Sequence, residues 1–574
     1  MGRSRQTSCA GISAALVALL TSGCGKDTGE GPTPQPTTDP TVELPPPLAP
    51  LAPPRSAESD RFATSDHCAQ CHTTSSESPA MKDAAGRDVS PVALWRPTMM
   101  ALAARDPYYL AVFSQELLEH DGATTAVERT CTRCHAPAGN LEHEQTGGHL
   151  DFESLVAGES DEAALGRDGV TCSLCHQIAD SGLGTTASYT GGFDVGYSRK
   201  IFGPHLGPDT EPMQFFVSYE PTYAEHITSS ALCATCHTVI VRPLDADGVP
   251  TGAEVVEQAP YLEWRNSDFA DGGSKAASCS ACHLPTADED GQAITTRIAR
   301  AGVVLGERSP YGRHILVGGN AYVLRLLSDN EDWAQTGLAA GDLETSAARS
   351  EAHVQSAIGL ALSASREGDA LTIDVTLQNQ AGHKFPTGYP TRRAWLHLVV
   401  RAGSQIVFES GAHDPATGAL VDASGTRLDD PGTILPHRDR IDASDQVQIY
   451  ESRLVDADGA PTHLALGADH YEKDNRLLPS GWSASHALAS VTRAVGVSDD
   501  DDFVAGRDVV HYQVAGAPAG ALEVEVTLRY QSVPPATIDS LRIVPTPAAV
   551  RFVEMATARP PESITVASAQ TTVP

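Results

Sequence analysis

Ten of the twelve cysteines in this chain fall into five copies of one pattern: Cys68-Ala-Gln-Cys71-His72, Cys131-Thr-Arg-Cys134-His135, Cys172-Ser-Leu-Cys175-His176, Cys233-Ala-Thr-Cys236-His237 and Cys279-Ser-Ala-Cys282-His283. Two thiols one helical turn apart can form thioethers to the two vinyl groups of a porphyrin, and the adjoining imidazole can then meet the iron from the proximal side. A zinc site would join two such pairs and would not require a histidine after each, and a redox dithiol has no need of the histidine at all. Five covalently attached haem c groups are therefore expected, one per motif. Cys9 and Cys24 lie in the N-terminal stretch, so no thiol of the remaining chain is left for a disulfide.

Each iron has a sixth position, and what fills it separates an electron carrier from a catalyst. The first candidates are His314, before Gly318-Gly319; His205, in Phe202-Gly-Pro-His205; His226, shortly before Cys233; and His383, in a Pro- and Gly-constrained segment. His120, His143 and His149 stand in reserve. For each the alternative is an ordinary surface or hydrogen-bonded histidine. Met99 and Met100 read first as packing residues, although a thioether ligand would raise the potential of its haem. The run Asp499 to Asp502 is read as a solvated loop, with Ca²⁺ binding through carboxylate oxygens as the alternative.

Positioning these groups falls to the rest of the 574 residues, too many for one ordinary core. The expected class is α+β multidomain. Residues 1–24 read as an export signal, with Arg3 and Arg5 before an apolar run too short to span a bilayer. Residues 25–60 are Pro-rich and should act as a semi-rigid spacer. Residues 61–345 form the motif-bearing domain, expected to be mainly helix and loop with the haems as its core, because aromatic side chains are only 5% of the chain. Helices are expected over Leu94 to Ala104, Tyr108 to Leu118 and Asn320 to Leu327. From about 350 to 560 the period changes: Leu371 to Leu377 and Leu522 to Tyr530 alternate apolar with polar residues. Weaker strands follow at Ala357 to Ala364, Trp395 to Val400, Gln405 to Phe408 and Val447 to Tyr450, which together suggest an antiparallel β-sandwich.

Leu20-Thr21-Ser22-Gly23-Cys24 resembles a bacterial lipoprotein cleavage box, which makes Cys24 the expected lipidation site and, with Gly25 beside it, an outer-membrane lipoprotein of the cell envelope the expected product. Between residues 60 and 330 the segments Trp95 to Pro107, Gly169 to Ile178, Tyr261 to Ser267 and His314 to Ala321 resemble the cytochrome c-552/4-like multihaem proteins. That resemblance implies haems packed closely enough to pass electrons along a chain, and it fixes no substrate. Gly382 to Pro390 and Asp474 to Pro479 are similar to segments that accompany such domains. No motif ends in Lys, the mark of nitrite-reducing multihaem enzymes. With 40 basic against 73 acidic residues and a net charge of -33, the surface should repel nucleic acid and favour basic redox partners. Electron transfer outside the cytoplasm is the favoured function. The alternatives are an oxidoreductase acting on a small nitrogen or sulfur species at one five-coordinate haem, and a docking role for the sandwich.

Overall fold

The computed structural model describes residues 44–245, 248–251, 254–300 and 305–574. Cys9, Cys24 and the signal lie outside them. Pro45–Pro574 forms one compact unit. Among the described residues no helix is long and apolar enough to cross a membrane.

The motif-bearing half consists of short helices joined by irregular loops, and each Cys-x-x-Cys begins or ends a helical turn. Its longest early helix, Pro107–Glu119, starts where the Asp106 carboxylate accepts from the Tyr108 and Tyr109 amides, with Pro107 in the first turn. The helix expected over Leu94 to Ala104 is cut short at Pro91–Trp95, followed by successive turns. Pro97 has no N–H to bond back into the preceding turn, so the helix cannot continue through it.

Two further corrections concern this half. Residues 48–57 are not a free spacer: the Leu48 amide donates to Pro547 O at 2.8 Å, Leu51 to Trp333 O at 2.9 Å and Ala52 to Val156 O at 2.9 Å, with Leu51 and Ala57 buried. A segment too Pro-rich to fold alone has laid its few apolar side chains and free amides on the body. Nor is the interior left to cofactors, since Leu110, Phe113, Leu155, Val323, Leu326 and Phe552 form part of a large side-chain cluster.

The second half holds two large sheets, besides a two-stranded one that pairs Ala412–His413 with Leu420–Val421. One has four strands in the order Arg440–Ile441, Arg507–Val514, Ala370–Asn379, Ile358–Glu367. The other has seven, built around Arg393–Ala402, which pairs antiparallel with Leu522–Gln531 and with Ile449–Val455. Leu371, Ile373, Val375 and Leu377 from one sheet and Leu396, Leu398, Val400, Val524, Val526 and Leu528 from the other share one core. Each such aliphatic side chain contributes about 1.5–3 kcal/mol on burial, so the alternation fixes which face turns inward. The strand Ile564–Val573 completes the larger sheet beyond residue 560.

Between these strands the chain leaves the sandwich. Helices Pro535–Ile543 and Pro547–Ala558 return to the motif-bearing half, where Phe552 meets Tyr108 edge-on at 5.5 Å and Gln115 Nε2 donates to the carbonyls of Leu541 and Val544. The two halves thus share one apolar cluster, which joins Leu110 and Phe113 to Leu466 and Phe552.

Candidate functional site

The five motifs sit on local helical turns that bring the two thiols of each onto one face. Ser278 Oγ accepts from the Ala281 amide at the head of Cys279–His283, and Ser229 Oγ accepts from Ala231 at the head of Ser230–Cys233. All ten thiols are free.

Their imidazoles share a second feature. Nδ1 donates to a backbone carbonyl in four of them: His72 to Ile298 O at 2.9 Å, His135 to Ala103 O at 3.1 Å, His176 to Phe202 O at 2.7 Å and His283 to Val317 O at 2.7 Å. This bond fixes the tautomer that leaves a lone pair on Nε2, the arrangement a metal-ligating imidazole needs. Among the described residues no protein group meets those Nε2 atoms. Burial lowers all five imidazole pKa values, those of His135 and His237 to about 4, so the rings are neutral near pH 7. His72, His135, His176 and His283 are half-buried and His237 is exposed, so each ring keeps surface that is free of other protein groups. His237 alone lacks the carbonyl partner among the described residues.

Two of the candidate distal histidines face motif histidines. The rings of His176 and His314 stand 6.2 Å apart with their planes 26° from parallel, and those of His283 and His383 stand 6.4 Å apart at 20°. Two metal–nitrogen bonds of roughly 2 Å, plus about 1 Å from each nitrogen to its ring centre, span about 6 Å. His314 Nδ1 donates to Gly312 O at 3.1 Å and His383 Nδ1 to Lys384 O at 2.9 Å, again leaving Nε2 open.

The other candidates are not brought to a motif imidazole. His226 Nε2 is bonded to Ile178 O at 2.8 Å and its ring meets Phe202 edge-on. His205 is half-exposed near Arg308, whose charge together with burial lowers its pKa. His149 Nε2 is taken by Glu128 at 2.6 Å, His120 lies beside Glu116, and Met99 packs against the apolar cluster. His353, which no local signal marks, has its ring 5.0 Å from that of His283, tilted by 60°.

Thiols of different motifs lie near one another: Cys68 to Cys172, Cys134 to Cys236 and Cys233 to Cys279 are close enough to shift each other's titration, and Cys175 is within electrostatic reach of Cys236. The attachment points therefore form one continuous group running from the first motif to the fifth.

Beside the second motif the protein differs. Tyr109 stacks flat on His135 at 3.8 Å, and among the described residues no imidazole faces His135. Near its cysteines lie Glu257, Glu116 and Tyr389, with Glu116 Oε2 3.3 Å from His120 Nε2 and the Tyr108 hydroxyl buried without a hydrogen-bond partner among the described residues. Burial and then the charge of Glu116 push Glu257 up to about 8. Sequence reasoning offered no way to bring these groups together, since their link is purely spatial.

The acidic run Asp499 to Asp502 is absorbed by structure. Asp500 Oδ1 accepts from the Asp502 and Phe503 amides, and Oδ2 meets His437 Nε2 at 2.8 Å. Gln448 and Asn475 both present amide N–H groups to His437 Nδ1, and each amide is oriented by its own backbone partners. His437 therefore carries its proton on Nε2, and the nearby grouping of His437, Asp500 and Asp508 has no imidazole lone pair to offer a cation.

The donor set fits covalently attached haem: paired free thiols, an imidazole beside each pair, and an Nε2 left open by the Nδ1 bond in four of the five. No family model matches the chain, and no curated protein matches it. Among solved structures the chain is similar to the crystal structure of a penta-haem cytochrome c552 from Thermochromatium tepidum, with 16% identity over 89% of this chain and 99% of that one and a TM-score of 0.49.

Proposed function

We propose that the chain is a pentahaem c-type cytochrome that transfers electrons at the cell envelope, tethered through a lipidated Cys24. The observation that supports this best is the repeated pairing of free thiols with an imidazole whose Nδ1 is anchored and whose Nε2 is open. Haems bound there would supply iron that cycles between its ferrous and ferric states. His72, His135, His176, His237 and His283 would serve as proximal ligands, with His314 and His383 as the second ligands of the third and fifth sites. Two neutral nitrogen ligands favour both oxidation states of a carrier and leave no open position for a substrate. The proximity of thiols from different motifs keeps the attachment points close, as a relay requires. The acidic surface suits a basic donor or acceptor.

Mass spectrometry of protein made with a full cytochrome maturation system tests the assignment. Five haems per chain are expected, and three or fewer would reject it.

A second reading is favoured by the surroundings of the second motif. There the chain offers tyrosine hydroxyls and carboxyls in place of a facing imidazole, groups that can hold and move protons beside a small nitrogen or sulfur species. Glu257, held protonated near neutral pH, could donate a proton there. Cyanide binding to one site of the unmodified protein would support this reading, and five sites inert to cyanide would remove it.

A further inference from the structure

The segment that carries His383 is gripped by charges far from any surface. Glu263, 1% exposed on the helix Pro260–Arg265 of the motif-bearing half, accepts on Oε2 from the Lys384 amide at 3.1 Å and from the Thr387 hydroxyl at 2.7 Å. Its Oε1 faces Arg476 Nη1 at 3.1 Å. Arg476 holds Asp474 with both prongs of its guanidinium, at 2.7 and 2.8 Å, and the Lys384 ammonium donates to the same carboxylate at 2.7 Å and to Arg493 O at 2.9 Å. Two cations and two anions are thus buried as one balanced group. Around it, Asn379 Nδ2 donates to the carbonyl of His383 itself at 2.8 Å, and a Cβ added at Gly382 would meet Phe269 and Trp264 at 3.1–3.2 Å.

Burying four charges is costly, and apolar residues of the same volume would commonly be as stable or more so. What the ionic group adds is direction. The fork of Arg476 and the two oxygens of Glu263 each accept only one geometry, and they fix the chain immediately after residue 383 at Lys384 and Thr387. Glu263 reaches this loop from the half that carries the fifth motif, so its grip sets His383 relative to His283 and not merely within the sandwich.

We propose that Glu263, with Arg476, Asp474 and Lys384, is a positioning device that holds the His383 imidazole opposite His283, making the second ligand of the fifth site conditional on docking of the sandwich against the motif-bearing half. This rests on the reading of His383 as a ligand. The four residues touch no iron and act through the loop.

The test compares holoprotein variants. Glu263→Gln removes the anion with little change of shape, and Thr387→Val removes one of its hydrogen bonds without stranding a charge. His383→Ala serves as reference. The expected result is that one haem in five becomes high-spin and binds cyanide in His383→Ala, that the same site does so in Glu263→Gln and more weakly in Thr387→Val, and that combining His383→Ala with Glu263→Gln opens no second site. If His383→Ala leaves the spectra unchanged, the ligation reading falls and the positioning role with it. If His383→Ala opens the site while Glu263→Gln and Thr387→Val keep wild-type spin state and potentials, the ionic group serves stability alone and only the positioning role is overturned. Should Glu263→Gln fail to accumulate, the Thr387→Val arm decides on the same criterion.

Discussion

Replacing His314 with Ala provides a stringent quantitative test of the proposed ligation, because the structure fixes how many sites should respond. The His314 ring faces His176 alone among the motif imidazoles at 6.2 Å, so one of five sites should lose its second nitrogen and four should not. Relative to the unmodified ferric protein, the low-spin absorption of one haem should give way to a high-spin component. Cyanide should titrate to one equivalent per chain more than in the unmodified protein, and free imidazole at about 10 mM should largely restore the low-spin spectrum, because it replaces a ligand held at an effective concentration in the millimolar range or above. The truncation should also cost about 1–3 kcal/mol of stability. The control is His226→Ala. Its Nε2 is bonded to Ile178 O, so the spectrum should not move. Electron paramagnetic resonance counts the high-spin irons directly. A His314→Ala protein that binds no cyanide, or an equal response in His226→Ala, would refute the use of ring separation to assign ligands.

Three further outcomes can be checked. Gly139→Ala should destabilise the fold by about 1–3 kcal/mol or more, measured by denaturant unfolding, because the new Cβ would lie 2.3 Å from Glu162 O and 2.7 Å from the Gly166 amide, backbone atoms that cannot swing aside. Burial lowers the His511 pKa, but bonds to Asp374 and Asp502 outweigh it and the net shift is upward. Its contribution is therefore complete below about pH 6.5 and is lost as pH rises through the raised value, so His511→Asn should cost more stability near pH 6 than near pH 9. Cys24→Ser should release a soluble protein that keeps its haems, and fractionation that still finds it on membranes would place the anchor elsewhere.

The attachment motifs were legible because their chemistry is local: two thiols and an imidazole must be near neighbours in sequence to serve one porphyrin. The strands around Leu371 to Leu377 and Leu522 to Tyr530 were legible for a similar reason, since alternation is what a half-buried strand demands. The helices Pro535–Ile543 and Pro547–Ala558 carried signals that went unused, with Thr546 capping the second and Ala549, Phe552 and Ala556 recurring on one face. Reading that stretch as part of a sandwich hid them. Leu48 and Leu51 could not be told from linker residues, because their burial depends on grooves made elsewhere. The same holds at the site. His314 and His383 could be nominated from the rigidity of their segments, but which imidazole each would face was set by chain pairings a hundred or more residues apart. Nothing near His353 or Glu257 distinguishes either from an ordinary polar residue.

The hydrogen bonds of the motif imidazoles bear on the order in which the protein can be made. His72 is oriented by the carbonyl of Ile298, 226 residues further along the chain, and His283 by that of Val317, 34 residues further along. A chain emerging from its N-terminus exposes its first pair of thiols long before the carbonyl that will steer the neighbouring ring has emerged. If thioethers form as the chain emerges, the first motif would be recognised by its local pattern alone, and the His72 ring would take up its final tautomer and tilt only when the later chain closes over it. Maturation and folding would then be separate events in time. A chain halted near residue 290 would carry all five attachment motifs and yet lack Ile298, Val317, His314 and His383, so it could be fully loaded while none of those groups was present to set its potentials.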